Sequence, residues 1–355
     1  MERLYADANA TVPPSPAVRA AVAEAMASHW GNPTSIHREG QRARHLLEQA
    51  RERIAAELGV PPGELVFCSG ATEGMHLLLR GLQPALGRRA LAVFPGEHSA
   101  CLNSLRDWPG LCWLPEIPEG VALLVQMSAN NETGILYGMP RAPGALRVRD
   151  AVQAWGKVTL DLGDCDAAVL SGHKIGAPRG VGVLWMRPGL PWASPMEGPQ
   201  EARRRGGTED LPAILGLAAA VRELPERLEG NARLAPLRDA LEAELLGWDA
   251  DYEVIGRGLP RLPNTSCLLL RGHHGQAVLA ALDLEGIAVS TGSACHSGAV
   301  KPSHAITTLG YSETEARSVV RVSFLPSADA ADLERLLQAL GKVLRKRARG
   351  EAESS

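Results

Sequence analysis

Short apolar runs alternate with segments of helical period through most of this chain, and that rhythm restricts the fold more than any single motif. Residues 65–68, 91–94, 122–127, 145–148, 167–170 and 180–185 have the length and apolar content of strands. Between and before them lie helical patterns at 15–30, 38–58 and 72–82. Ser15 is placed to cap the first, with Pro16 at its first helical position, and Gly59 and Pro61 end the second. Strands and helices in alternation predict an α/β domain with a mostly parallel sheet.

One strand end carries Ser171-Gly172-His173-Lys174, between the 167–170 run and the 180–185 run. A lysine at a strand end among small and hydrogen-bonding residues is where its pKa can be lowered and its amine used as a nucleophile. A lone lysine is usually a solvated charge, so the decision rests on what accompanies it.

Beyond about residue 230 the texture changes. Helical patterns at 233–246 and 276–284 stand among strand-like runs at 267–270, 287–290 and 319–323, and a helix at 328–347 follows, with a polar tail at 349–355. These predict a smaller α+β domain of residues 1–11 and 233–355 beside a large domain of residues 12–232. With 37 Lys and Arg against 40 Asp and Glu, the net charge of −3 gives no support for nucleic acid as the main partner. The short basic run Arg203-Arg204-Arg205 reads as a solvated loop. No run approaches a membrane span, and Met1-Glu2-Arg3-Leu4-Tyr5 has no apolar signal core, so the expectation is a cytoplasmic protein. The six cysteines show no paired or dense spacing, which argues for buried free thiols and against a disulfide framework or a metal site.

Ser69-Gly70-Ala71-Thr72-Glu73 joins a strand to a helix. Free N–H groups at such a helix start bind anions, and small residues let a phosphate approach; alone, the segment is equally an ordinary capped turn. Asp150 follows the 145–148 strand, with Gln153 three residues on. A carboxylate there can face a ligand at the sheet's edge, or simply cap a helix. Phosphate cradle, carboxylate and lysine together are the parts that hold pyridoxal 5′-phosphate by its phosphate, ring nitrogen and aldehyde carbon.

From these residues onward the chain resembles the fold-type I pyridoxal-phosphate enzymes of the class V aminotransferase group, and within it the NifS/IscS-type cysteine desulfurases. The likeness runs over nearly the whole length. It takes in 5–11 (Tyr-Ala-Asp-Ala-Asn-Ala-Thr), 31–37 (Gly-Asn-Pro-Thr-Ser-Ile-His), Glu97-His98, 130–134 (Asn-Asn-Glu-Thr-Gly) and Asp150-Ala151-Val152-Gln153. It continues through Gly207-Thr208, 290–295 (Ser-Thr-Gly-Ser-Ala-Cys) and Arg321-Val322-Ser323.

The resemblance implies a large cofactor-binding domain with a seven-stranded type of sheet, and a small domain carrying a catalytic cysteine loop. Lys174 would bind the cofactor covalently and act as base at the substrate Cα. Asp150 would pair with the ring nitrogen and His98 would stack on the ring and shuttle protons. Asn131 and Gln153 would hydrogen-bond near the ring's phenolic oxygen. Ala71, Thr72, Ser171 and His173 would bind the phosphate, and Thr208 would reach the phosphate of the neighbouring subunit of a homodimer. Arg321 would hold the carboxylate of L-cysteine. Cys295 would take the substrate sulfur as a persulfide and deliver it to an acceptor protein serving iron–sulfur assembly, tRNA thiolation or cofactor biosynthesis.

The spacing from Cys295 to Arg321 matches the longer loop of the IscS-like branch. Departures from the family pattern are equally specific. Asn9 stands one position later than the usual asparagine, which in an extended segment puts it on the other face. His296 follows the cysteine; it either lowers the thiol pKa or faces solvent. Ser323-Phe324-Leu325-Pro326 replaces Ser-Leu-Gly, the stretch from 134 to 150 is short, and few residues follow Arg321. Other readings of the same scaffold are a selenocysteine lyase, another class V enzyme without need of Cys295, or a non-catalytic sulfur-transfer scaffold. The joint presence of Lys174, Asp150, His98, Cys295 and Arg321 argues against the last.

Overall fold

A computed structural model describes residues 3–291 and 302–352, the stretch 345–352 by its helical backbone alone. The chain divides into two units: residues 11–128 with 137–225, and residues 1–10 with 129–136 and 226–355.

The larger unit is built on a seven-stranded sheet in the order Leu65–Cys68, Gly182–Met186, Ala167–Ser171, Leu146–Asp150, Leu123–Met127, Leu91–Val93, Leu111–Trp113. Only Gly182–Met186 opposes the rest; it pairs antiparallel with both neighbours. All other pairings are parallel. Alternate side chains enter different cores. Leu65, Phe67, Leu170 and Val183 join Leu47, Ile54 and Leu217. Val66, Val169 and Leu184 join Met75, Leu78 and Leu82. A sheet covered on both faces explains why its strands read as unbroken apolar runs. Each fully buried leucine among these contributes about 1.5–3 kcal/mol.

Most predicted elements are present with shifted ends. Ser15 caps the Pro16–Ser28 helix by accepting from Val18 N at 3.2 Å. Gly59, at φ +65°, ends Arg38–Leu58 in the left-handed region that glycine tolerates. The helix expected to end at 82 runs as Ala71–Leu86 through Pro84. The edge strand Leu111–Trp113 was not anticipated; it is short, half-exposed and pairs on one side only. Asp150 is the last residue of its strand rather than the residue following one.

In the smaller unit Val319–Ser323 and Tyr252–Val254 flank Thr265–Leu270 in an antiparallel sheet, and Leu4–Tyr5 pairs parallel with Ile287–Ala288. Leu241, Leu268, Leu282, Val320, Phe324 and Leu340 form its core. The division assigns 129–136 to this unit, where a linear boundary at 11/12 and 232/233 would leave it in the other. The reason is pairing: Leu136 N donates to Pro260 O at 2.9 Å, and Leu262 N to Gly134 O at 2.8 Å. The closing helix, Ala330–Ala352, extends through most of the segment expected to fray.

Candidate active site

Parallel strands present their C-terminal ends along one edge, and in the larger unit the candidate residues follow those ends. The register sets Met127 level with Asp150, and Asp150 level with Val169. Lys174 and His173 stand on the 3-10 turn Gly172–Ile175, directly after Ala167–Ser171. His98 follows Leu91–Val93 by a short turn and opens the helix Ser99–Ser104.

Gly70 opens the helix Ala71–Leu86 without a side-chain cap, at φ +153°. The first N–H groups there have no side-chain acceptor at the cap position, and Ser171 Oγ lies 3.9 Å from where a Gly70 Cβ would stand. Gly182 backs the turn so closely that a Cβ on it would lie 2.6 Å from Gly70 Cα. Ala71 is half-buried and Thr72 exposed, while Ser171 is buried. A helix start, two hydroxyls and no obstructing side chain suit a phosphate group.

Asp150 is buried, and its Oδ1 accepts from Val152 N at 3.0 Å. Burial lifts its pKa; the Val152 N–H and the charges of His98 and Lys174 pull it back. Beside it Glu97 is fully buried and accepts from Met127 N. Burial, then the Asp150 charge, raise the pKa of Glu97 well above its ordinary value. A protonated pyridine nitrogen is the kind of group that would keep Asp150 ionised there.

His98 Nδ1 accepts from Ala100 N at 3.1 Å, which leaves any ring proton on Nε2 of this exposed imidazole. His173 meets Thr11 Oγ1 at 3.2 Å through Nδ1. Burial, then Lys174, Lys157 and Arg179, lower its pKa to about 4, so it is neutral near pH 7. Gln153 is buried, and its Oε1 accepts from Lys157 Nζ at 2.7 Å.

Thr208 is exposed, at the end of a loop whose basic run is solvated only in part: Arg203 is exposed, while Arg204 and Arg205 are half-buried. Arg204 donates to Gly63 O and Leu65 O, both at 2.8 Å, and Arg205 Nε to Glu73 Oε1 at 2.8 Å. Burial opposes ionisation of Glu73, but Arg205 and the Ser69 N–H outweigh it and its pKa is lowered.

In the smaller unit Arg321 is buried. Its guanidinium donates to Asn131 O at 2.9 Å and to Asp7 Oδ1 at 2.5 Å. Asn9, the displaced asparagine, is buried and donates through Nδ2 to Thr265 Oγ1 at 2.9 Å and Asn131 O at 3.2 Å. Cys295 and His296 lie outside the described residues. Of the other cysteines, Cys68, Cys101, Cys165 and Cys267 are buried and free, and burial raises the pKa of each, which makes them poor nucleophiles.

Glu97 and Asp7 stood within the resembling motifs without a role of their own, and Lys157 and the Arg51–Glu201 pair had none in the sequence reading. Only Lys157 had a usable sign, its four-residue spacing from Gln153. Among the described residues no cluster of His, Cys, Asp and Glu could hold a metal ion, and no helix is long and apolar enough to cross a membrane.

The model of the aminotransferase class-V family matches residues 4–108 and 114–336. A cysteine desulfurase of Cereibacter sphaeroides is 35% identical over 97% of this chain and 96% of its own length. An IscS-like cysteine desulfurase of Mycobacterium tuberculosis is also 35% identical, over 97% of each chain. A solved NifS-like protein superposes with a TM-score of 0.86 at 27% identity, covering 97% of this chain and 99% of that one.

Proposed function

This chain belongs to the class-V aminotransferase family, and from that premise we propose which of its residues carry the reaction. The enzyme is a pyridoxal-phosphate-dependent cysteine desulfurase that acts on L-cysteine. The observation that most supports the residue assignment is the company of Asp150: a buried carboxylate at a strand end, acted on by the charges of both Lys174 and His98.

In this reading the start of the Ala71–Leu86 helix, with Thr72, Ser171 and His173, binds the phosphate. Neutral His173 serves as a hydrogen-bond partner there and adds no charge. Asp150 would hold the ring nitrogen, His98 would cover the ring, and Gln153 and Asn131 would hydrogen-bond near its phenolic oxygen. Thr208 completes the phosphate site of the neighbouring subunit in a homodimer. When bound, the cofactor supplies an electron sink for charge developing at the substrate Cα.

Arg321 binds the substrate carboxylate while Asp7 and the Asn131 carbonyl fix the guanidinium plane. Lys174 removes the Cα proton. Cys295 thiolate attacks the substrate sulfur: the new S–S bond forms as the substrate C–S bond breaks, and its electron pair stays with the carbon fragment. Protonation at Cβ and return of the proton from Lys174 to Cα yield alanine, and Cys295 is left as a persulfide. An acceptor protein then takes the sulfur, and the setting is the cytoplasm.

Purified enzyme saturated with cofactor tests this. L-cysteine is expected to give alanine in the wild type and none in Lys174→Ala. Full turnover by Lys174→Ala would sink the assignment.

A further inference from the structure

Downstream of Asp150 the chain coils tightly: Trp155 N donates to Ala151 O at 3.0 Å and Lys157 N to Ala154 O at 3.0 Å. Gly156, at φ +71°, makes the turn, and a Cβ there would lie 2.8 Å from Leu224 Cδ2 and 2.9 Å from Ile175 Cγ2. The turn brings Lys157 back under Gln153. Lys157 is 5% exposed, and its ammonium donates to Gln153 O at 3.2 Å and to Gln153 Oε1 at 2.7 Å.

That contact fixes a choice an isolated glutamine leaves open. An amide can turn either end toward a neighbour, but an ammonium has three donors and no acceptor. The Gln153 atom beside it must therefore be the carbonyl oxygen. The NH2 end, with its two donors, is held on the other branch of the amide. Burying a lysine is costly, and this one sets its ammonium against both the side-chain amide and the backbone carbonyl of Gln153.

We propose that Lys157 is a positioning residue that makes Gln153 present its NH2, and not its carbonyl, to the negatively charged ring oxygen of the cofactor. The inference rests on the reading of Gln153 as a cofactor contact. With the orientation reversed, a carbonyl dipole would face a phenolate and repel it. A donor at that oxygen stabilises its negative charge and weakens its hold on the proton of the lysine-bound nitrogen. That nitrogen then loses its proton at lower pH.

The test is a pH titration of the visible absorbance band of the holoenzyme. It compares wild type, Lys157→Met, Gln153→Ala and the double variant. Glu97, His98, Asp150, His173, Lys174 and Arg179 carry or exchange charge in the same unit, and they are the same in all four proteins. The transition is expected to move up by roughly 1 unit in Lys157→Met. Gln153→Ala should move it likewise, and the double variant no further than Gln153→Ala alone. An unmoved transition in Lys157→Met, with or without a lower melting temperature, overturns the proposal. So does an equal shift from Lys157→Met in both backgrounds, because the lysine would then act only as a charge. Lys157→Gln, which removes the obligatory donor but keeps a polar side chain, gives the same two outcomes if the methionine variant does not fold. A wild-type protein that forms no visible band with pyridoxal phosphate would overturn the cofactor reading and this inference with it.

Discussion

Glu201 accepts from both terminal nitrogens of Arg51, at 2.7 and 2.9 Å, and the pair is almost wholly withdrawn from solvent. A third bond comes from Phe67 N at 2.8 Å, on the strand that leads into the phosphate cradle. Glu201, Ala202 and Arg203 sit at φ of 49°, 54° and 67°, a left-handed run of non-glycine residues. Such residues cost about 1–3 kcal/mol each and persist only where their surroundings hold them. The ion pair and the bonds of Arg204 and Arg205 hold this loop to the Leu65–Cys68 strand and the helix after it. Thr208 follows a few residues later.

Arg51→Ala should therefore lower the free energy of unfolding by about 3–5 kcal/mol, because it leaves Glu201 buried without its cation. Urea denaturation reads this directly. Arg51→Lys should recover only part of the loss, since a lysine cannot make the two-pronged contact. A variant as stable as the wild type would show that the pair does not anchor the loop.

Gly182→Ala places a methyl group 2.6 Å from Gly70 Cα and 2.7 Å from Leu170 O, both backbone atoms that cannot step aside. The expected cost is about 1–3 kcal/mol of stability. Affinity for pyridoxal phosphate should fall more than affinity for pyridoxal, which has no phosphate to meet the displaced turn. Equal losses for the two ligands would separate Gly182 from the phosphate site.

His173 gives the folded apoenzyme a definite pH response. Its folded pKa, about 4, lies below the 6.5 of an unperturbed imidazole. Between those values the unfolded chain binds a proton that the folded chain refuses. Stability should thus fall as pH drops from 6.5 toward 4, and the response from this residue should be complete below that. His173→Asn should flatten that part of the curve of urea midpoint against pH. An unchanged curve would mean that His173 is not held neutral.

Arg321→Lys should raise KM for L-cysteine more than it lowers kcat, by a factor corresponding to about 1.5–3 kcal/mol for a lost charged hydrogen bond. An unaltered KM would move carboxylate recognition to another residue.

The strands of the central sheet were legible because both faces are covered, so their residues read as continuous apolar runs. Leu111–Trp113 was not, because an exposed edge strand of three residues leaves almost no pattern. Ser15 and Gly59 announced helix ends through the chemistry of capping, whereas the Ala71–Leu86 helix runs on past its expected end at 82, through Pro84. Lys174 and Asp150 were visible because strand ends are where such residues face ligands. Glu97 and the Glu201 clamp were not, because what distinguishes them is burial beside a charge distant in sequence: Asp150 for one and Arg51 for the other. The Asp7 contact of Arg321 spans nearly the whole chain, and no local pattern encodes it.

The most direct measurement is to react the holoenzyme with a small excess of L-cysteine, block free thiols and locate added sulfur by peptide mass spectrometry. One extra sulfur atom is predicted on the peptide bearing Cys295, matched by an equal amount of alanine, with both absent in Cys295→Ser. Alanine formed at the wild-type rate by Cys295→Ser, with no sulfur retained on the protein, would contradict the account.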